Sequence, residues 1–312
     1  MIKKIVIIGC GNMGFAHLSS FLRLNEHFKI YLVDKNKKQI KKIKKKINNS
    51  FSNTKSDLFF SYQIPSKEKI DFAIVATHVY QRFEITKQLL KKNKVSILFL
   101  EKFLFYKSQH YNIVEKLIRV RKTRTFVNVW SLIFLKNIRL HKINLKNSFS
   151  RIFIRKERLL TNLIHYYLLL EIILKSKIFI DFSKSKIIKK KFSQLNFDEV
   201  QGKIIFRDKS KIIGEISSNF SSNNDIWKLK SKNKEFHLEV DGGNILIKSK
   251  KNKLLKYKFP FSSYTTAAFF KKIIKKSNNL KTDFPRFDDI SRISRRILKE
   301  GKKTFNKDLI IR

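Results

Sequence analysis

Three glycines and one carboxylate carry the first chemistry legible in this chain. In Ile8-Gly9-Cys10-Gly11-Asn12-Met13-Gly14 the glycines fall at the spacing G-x-G-x-x-G, directly after the apolar run Ile5 to Ile8. A β-branched run of that kind reads as a strand buried on both faces. With a helix starting near Asn12, the stretch predicts a dinucleotide cradle. Gly9 makes the tight turn, Gly11 lets the backbone approach a pyrophosphate, and Gly14 lets the helix pack close to the sheet. The helix start at Asn12 and Met13 turns its amides and dipole toward the phosphates. Asp34 closes a second apolar run, Phe28 to Val33, about 20 residues after the glycines, where such folds set a carboxylate on the adenosine ribose. That carboxylate would repel a 2′-phosphate, so the expected cofactor is NAD or NADP with NAD favoured; Lys35 beside it softens the preference.

These residues need a scaffold, and the hydrophobic pattern supplies one. Lys35 to Ile47 reads as a basic helix with Ile40, Ile43 and Ile47 at helical spacing. A short strand around Leu58 to Tyr62 follows, then a buried strand Asp71 to Thr77 and a helix Tyr80 to Lys91. Val95 to Leu100 is the next strand, ending in Glu101-Lys102, with a helix at Ser108 to Val120 and a strand at Thr125 to Val129. Such alternation predicts an α/β fold, a doubly wound parallel sheet of the Rossmann type. Beyond it come a strand at Ser150 to Arg155, a helix at Leu159 to Leu174 and short strands with hairpin signals at Asp208-Lys209-Ser210 and Asp241-Gly242-Gly243-Asn244. The aromatics Phe236, Phe259 and Phe261 of this half read as core. Helices at Tyr264 to Lys275 and Asp288 to Lys302 end the chain. The expectation is an NAD(P)-binding domain over 1–124 and an α+β domain with a mainly antiparallel open sheet over 125–312, with ligands at the strand carboxyl ends.

A chain of 312 residues can bury a sizeable core and form two domains. Its formal charge of +46 invites a nucleic-acid or membrane-surface reading. The basic residues are mostly Lys, in the company of abundant Ile, Asn and Phe, which is the usage of an AT-rich genome. They are scattered over every predicted helix and turn, clustering at Lys41 to Lys46 and Lys189 to Lys191, without interleaved aromatics that would stack bases. Solvated surface is therefore expected, with no specific nucleic acid and no membrane as partner. A basic nucleic-acid-binding protein on a Rossmann scaffold is the alternative, and it needs the lysines gathered on one face. The single cysteine, Cys10, excludes an intrachain disulfide and points to a reducing compartment. Lys3 and Lys4 before an apolar run imitate a signal peptide, but the run is short and passes straight into the glycine turn. Leu159 to Leu174 carries Asn162, His165 and Glu171 and is short for a membrane span. A cytoplasmic protein is expected, and cysteine spacing implies no metal.

The order of these motifs resembles the glucose-fructose oxidoreductase / inositol dehydrogenase (Gfo/Idh/MocA) family over essentially the whole chain. Three landmarks carry the resemblance: Gly9 to Gly14; Ile74-Val75-Ala76-Thr77-His78, similar to the family's V-A-T-P; and Leu98-Phe99-Leu100-Glu101-Lys102-Phe103, similar to its E-K-P. The resemblance implies a nicotinamide cofactor and a C-terminal open sheet that lines the substrate site and mediates a homodimer or homotetramer. Members associated with surface-glycan biosynthesis carry an N-x-x-H segment, which Asn162-Leu163-Ile164-His165 resembles. His78 and Phe103 stand where the family has proline, Arg82 where it has histidine, and Leu168 where it often has an acid.

Within that resemblance the chemistry distributes as follows. Lys102, at the end of a central strand, would hold the reacting sugar oxygen and favour a developing alkoxide. His165, with an ordinary pKa near 6.5, would exchange the proton of that oxygen. Asn162, about one turn earlier on the same face, would bind the same sugar. Thr77 and His78 would meet the cofactor's ribose or pyrophosphate, Glu101 would orient Lys102 or meet the nicotinamide ribose, and Asn128 would lie near the nicotinamide. Without the resemblance, His165 and Asn162 read as core residues of an apolar helix. The expected activity is NAD(P)-dependent hydride transfer to or from a sugar or sugar nucleotide. A nucleotide-binding but catalytically weakened homologue with a structural or regulatory role is the other reading.

Overall fold

The computed structural model describes residues 2–138, 149–155, 158–192, 195–209, 211–219, 225–230, 235–241, 244–249, 254–258, 262–275 and 283–311. They fall into two compact units, Met1–Val129 with Phe261–Asp289 and Trp130–Pro260 with Ile290–Arg312.

Six parallel strands build the first unit: β1 (Lys3–Ile8), β2 (Phe28–Val33), β3 (Asp57–Ser61), β4 (Lys69–Val75), β5 (Lys94–Leu100) and β6 (Arg124–Val127). Their order is β3-β2-β1-β4-β5-β6, so the winding reverses between β1 and β4. That is the doubly wound sheet the alternation predicts, with its ligand crevice expected at the reversal. Ile5 to Ile8 pair with Ile30 to Val33 on one side and with Phe72 to Val75 on the other. Paired on both edges and covered on both faces, Ile5, Val6 and Ile7 have no exposed surface. The unbroken apolar run is the sequence form of that position.

Helices α1 (Asn12–Leu22), α2 (Lys37–Ser50), α3 (Val79–Lys92) and α4 (Ser108–Val120) make the crossovers. In α2 the buried positions are Ile40, Ile43 and Ile47, and the Asn36 side chain caps the helix by accepting from the Lys38 amide. Lys37, Lys44 and Lys46 lie over the rings of Tyr62, Phe60 and Phe15. The sequence shows no aromatics among these lysines; the fold brings them from the β3 region and from α1.

The second unit holds β7 (Phe149–Arg155), β8 (Phe179–Asp181), β9 (Ser185–Phe192), β10 (Leu195–Asp208), β11 (Lys211–Asn219), β12 (Asp225–Lys230), β13 (Glu235–Asp241), β14 (Asn244–Ser249) and β15 (Leu254–Lys258). The order is β15-β14-β13-β12-β7-β11-β10-β8, with β9 on β10. Pairing is antiparallel except for β7 with β11, as a mainly antiparallel sheet requires. Both predicted hairpins form, with Asp208 opposite Lys211 and Asp241 opposite Asn244. Phe259 and Phe261, expected in the core, lie outside the described residues, as does the side chain of Phe236. Helices α5 (Ser131–Ile138) and α6 (Leu159–Leu174) belong to this unit.

The division differs from the one expected at 124/125. β6 pairs with β5 and completes the first sheet. The chain later returns to the first unit through a 3-10 turn at Ser262–Thr265 and helix α7 (Thr266–Lys275), and α8 (Phe287–Phe305) follows. Phe270 stacks on Phe72 at 4.9 Å, and Phe269 meets Phe99 at 5.7 Å and Phe126 at 5.0 Å. Each such ring is worth about 1.5–3 kcal/mol on burial, and the return adds them to a face on which α1 already sets Phe21 against Phe72 and His17 against Phe99. Among the described residues no helix is long and apolar enough to cross a membrane.

Candidate active site

The sheet ladder continues one residue past the strands. The Gly9 amide donates to Val33 O, Ala76 to Ile8 O, Glu101 to Val75 O and Asn128 to Leu100 O, at 2.8, 2.8, 3.2 and 2.8 Å. One row along the carboxyl edge therefore carries Gly9, Ala76, Glu101 and Asn128, with the residues that follow each of them leading off it.

The three glycines answer to different constraints. Gly9 has φ +100°, and a Cβ there would sit 2.8 Å from Ala76 O. A Cβ on Gly14 would sit 1.8 Å from Gly9 O. Gly11 has φ −74°, and a Cβ there meets nothing within 4 Å among the described residues. The fold requires the first and third glycines, whereas nothing in the described chain requires the second. Space left over Gly11 suits a ligand that must approach the backbone. The amides at the start of α1 face the same opening: no side chain caps the helix and its first turn holds no acid. Asn12 is exposed and Met13 half-buried; the Lys46 ammonium donates to Asn12 Oδ1 at 3.3 Å. Cys10 is buried, and its thiol is pushed up to about 12, first by burial and then by the Asp34 carboxylate. It stays protonated and is no nucleophile.

Asp34 ties two loops together. Oδ2 accepts from the Cys10 amide and Oδ1 from the Asn36 amide, both at 2.8 Å. Each oxygen keeps acceptor capacity for a ribose hydroxyl. Across the reversal, Thr77 Oγ1 is buried without a hydrogen-bond partner among the described residues, which is the kind of atom a bound polar ligand satisfies. His78 precedes α3 and stacks on Tyr80 at 5.3 Å.

Glu101 turns inward. Its Oε1 faces His17 Nε2 at 2.8 Å and accepts from Asn128 Nδ2 at 2.6 Å. Asn128 also donates to Ser263 Oγ at 2.9 Å, and His17 Nδ1 lies 2.8 Å from Thr266 Oγ1. Sequence reasoning set Glu101 toward Lys102 or the ribose and Asn128 toward the nicotinamide; the structure engages both in this buried network. His17 escaped notice because a lone histidine on the apolar face of α1 carries no motif of its own.

Burial by itself would raise the Glu101 carboxyl, but the hydrogen bond and charge of His17, the Asn128 amide and the Arg82 charge outweigh it and hold it below its usual 4.5. A lowered folded value gives stability that is present above the ordinary carboxyl range and lost as pH falls through the folded value. Thermal melts of wild type and Glu101→Gln should therefore differ most near neutrality and converge in acid.

Lys102 follows Glu101 and is half-buried. Phe103, in the family's proline position, is fully buried, and the Lys102–Phe103 peptide bond is cis. Arg82 is buried, and its guanidinium donates to the carbonyls of Glu101 (2.8 Å), Phe103 and Thr77.

In the second unit, α6 carries Asn162, half-buried, and His165, which is only 3% exposed. The His165 ring stacks on Trp130 at 4.8 Å, its Nδ1 accepts from the Trp130 amide at 3.3 Å, and its carbonyl accepts from the Ser131 hydroxyl at 2.6 Å. With Nδ1 an acceptor, the neutral ring carries its proton on Nε2. Arg158 cannot cap α6, and Glu199 of β10 does so, accepting from the Leu160 amide and from the Thr161 amide and hydroxyl. Burial raises the Glu199 carboxyl against those bonds. Glu199→Ala should cost about 1–2 kcal/mol, read as a lower denaturant midpoint.

Comparison with known proteins agrees with this fold. Residues 3–129 match the Gfo/Idh/MocA family, an oxidoreductase family with an NAD-binding Rossmann fold. Among solved structures, an oxidoreductase from Agrobacterium radiobacter in complex with NAD+, L-tartaric acid and magnesium is similar at TM-score 0.71 and 11% identity, covering 98% of this chain and 97% of that one. The super-repressor mutant G301R of Gal80p from Saccharomyces cerevisiae gives 0.70 and 14%, over 98% and 97%. GenD2 from gentamicin A biosynthesis, in complex with NAD, gives 0.67 and 12%, over 98% and 95%. No curated protein matches in sequence.

Proposed function

We propose that this chain, whose residues 3–129 match the Gfo/Idh/MocA oxidoreductase family, binds NAD(H) or NADP(H) and transfers hydride to or from a sugar or sugar nucleotide. The observation that carries the reading is the open space over Gly11 at the uncapped start of α1. Gly9, Gly11, Asn12, Met13 and Gly14 would hold the pyrophosphate, Asp34 the adenosine ribose, and Thr77 and His78 the middle of the cofactor. A bound nicotinamide supplies the hydride acceptor or donor.

Lys102 would donate a hydrogen bond to the reacting oxygen and give up or take back its proton. Asn162 and His165 would bind substrate. In the tautomer set by the Trp130 amide, His165 offers an Nε2–H donor, so its role is to polarise rather than to act as a base. A cytoplasmic role in surface-glycan precursor synthesis, and a homodimer or homotetramer through the C-terminal sheet, belong to the same reading.

The test offers purified protein NAD+ with UDP-N-acetylglucosamine, UDP-glucose, myo-inositol and glucose, following nicotinamide absorbance. Reduction with one of them, lost in Lys102→Ala, supports the reading. NADH binding with no turnover would favour the second reading, a nucleotide-binding homologue without catalysis, to which the burial of His165 on Trp130 lends support.

A further inference from the structure

We infer that Arg82 is a positioning residue for Lys102, holding the backbone on both sides of it; the inference rests on the catalytic role proposed for Lys102. One guanidinium nitrogen donates to the carbonyls of both Glu101 and Phe103, the residues flanking Lys102. The other donates to the Thr77 carbonyl, just beyond the end of the neighbouring strand β4. One planar side chain thus ties the β5 loop that carries Lys102 to the β4 loop that carries Thr77.

The chemistry explains why arginine stands here. Three carbonyls need at least three N–H donations or shared donors in one plane. Guanidinium has five N–H groups in a fixed fork, whereas imidazole has two at most. The histidine that the family resemblance places at this position could not span all three. Residue 103 is Phe and not Pro, so the loop lacks the fixed φ that a pyrrolidine ring would impose. Arg82 supplies the missing restraint through hydrogen bonds. The cation survives its burial because Glu101 is close: burial lowers Arg82 to about 10, with the Glu101 carboxylate opposing the fall. It remains protonated at neutral pH.

The experiment compares wild type, Arg82→Lys, Arg82→Ala and Lys102→Ala. Hydrogen exchange, resolved by peptide, is expected to quicken about tenfold over Thr77–His78 and Glu101–Leu104 in Arg82→Ala, with little change over β1 and α1. Where a substrate of the panel turns over, kcat should fall about 100-fold with the NADH dissociation constant within about threefold of wild type, and added guanidinium should restore part of it. Arg82→Lys, which keeps the charge but not the fork, should lie between. Unchanged exchange in both Arg82 variants overturns the inference, and so does wild-type kcat in Arg82→Ala. Full activity in Lys102→Ala would instead overturn the role of Lys102, whatever the exchange shows.

Discussion

Lys102→Ala should lower kcat about 100- to 1,000-fold while leaving NADH affinity close to that of wild type. The ammonium belongs to the residue one beyond the row that Glu101 occupies at the sheet's carboxyl edge, and its backbone is held by Arg82. Its charge matters most as the reacting oxygen becomes alkoxide-like, so the loss falls on kcat rather than on binding. Steady-state kinetics with the best substrate of the panel, beside an NADH fluorescence titration, checks both halves. A raised KM with unchanged kcat would reassign Lys102 to simple substrate binding.

The glycine motif should separate folding from binding in a pair of variants. In Gly11→Val the new side chain meets no described protein atom within 4 Å of its Cβ, and φ is ordinary. The fold should lose no more than about 1 kcal/mol, the cost of a poor helix cap. NADH affinity should fall about 100-fold, or ~2.7 kcal/mol, because the side chain occupies the space left for the pyrophosphate. In Gly14→Ala the Cβ would lie 1.8 Å from Gly9 O. That variant should lose about 3 kcal/mol of stability, a large part of a typical domain's total. Denaturant titration and NADH titration of both proteins check the contrast.

The parts of this fold legible in the sequence are those set by local pattern. Ile5 to Ile8, Ile40, Ile43 and Ile47, and the hairpin around Asp241 to Asn244 each state their environment within a few residues. The glycine motif is legible because its spacing is local, although the close contact that fixes Gly9 comes from Ala76, far along the chain. What stayed hidden depends on distant partners. Glu101 turns inward because His17 and Asn128 meet it, and His17 in turn meets Thr266, 249 residues away. No local rule connects them. Arg82 read as the loss of a histidine, because the carbonyls it binds belong to backbone whose course the sequence does not state. The return of α7 to the first sheet is hidden likewise: Phe269 and Phe270 look like any apolar pair until Phe72 and Phe99 lie beneath them.

The most direct measurement is a fluorescence titration of wild-type protein with NADH and with NADPH, at moderate salt so that the charge of +46 does not gather nucleotides non-specifically. Saturable binding of NADH at one site per chain, tighter than NADPH and abolished in Gly11→Val, is the predicted result. Absence of binding by either nucleotide would contradict the account.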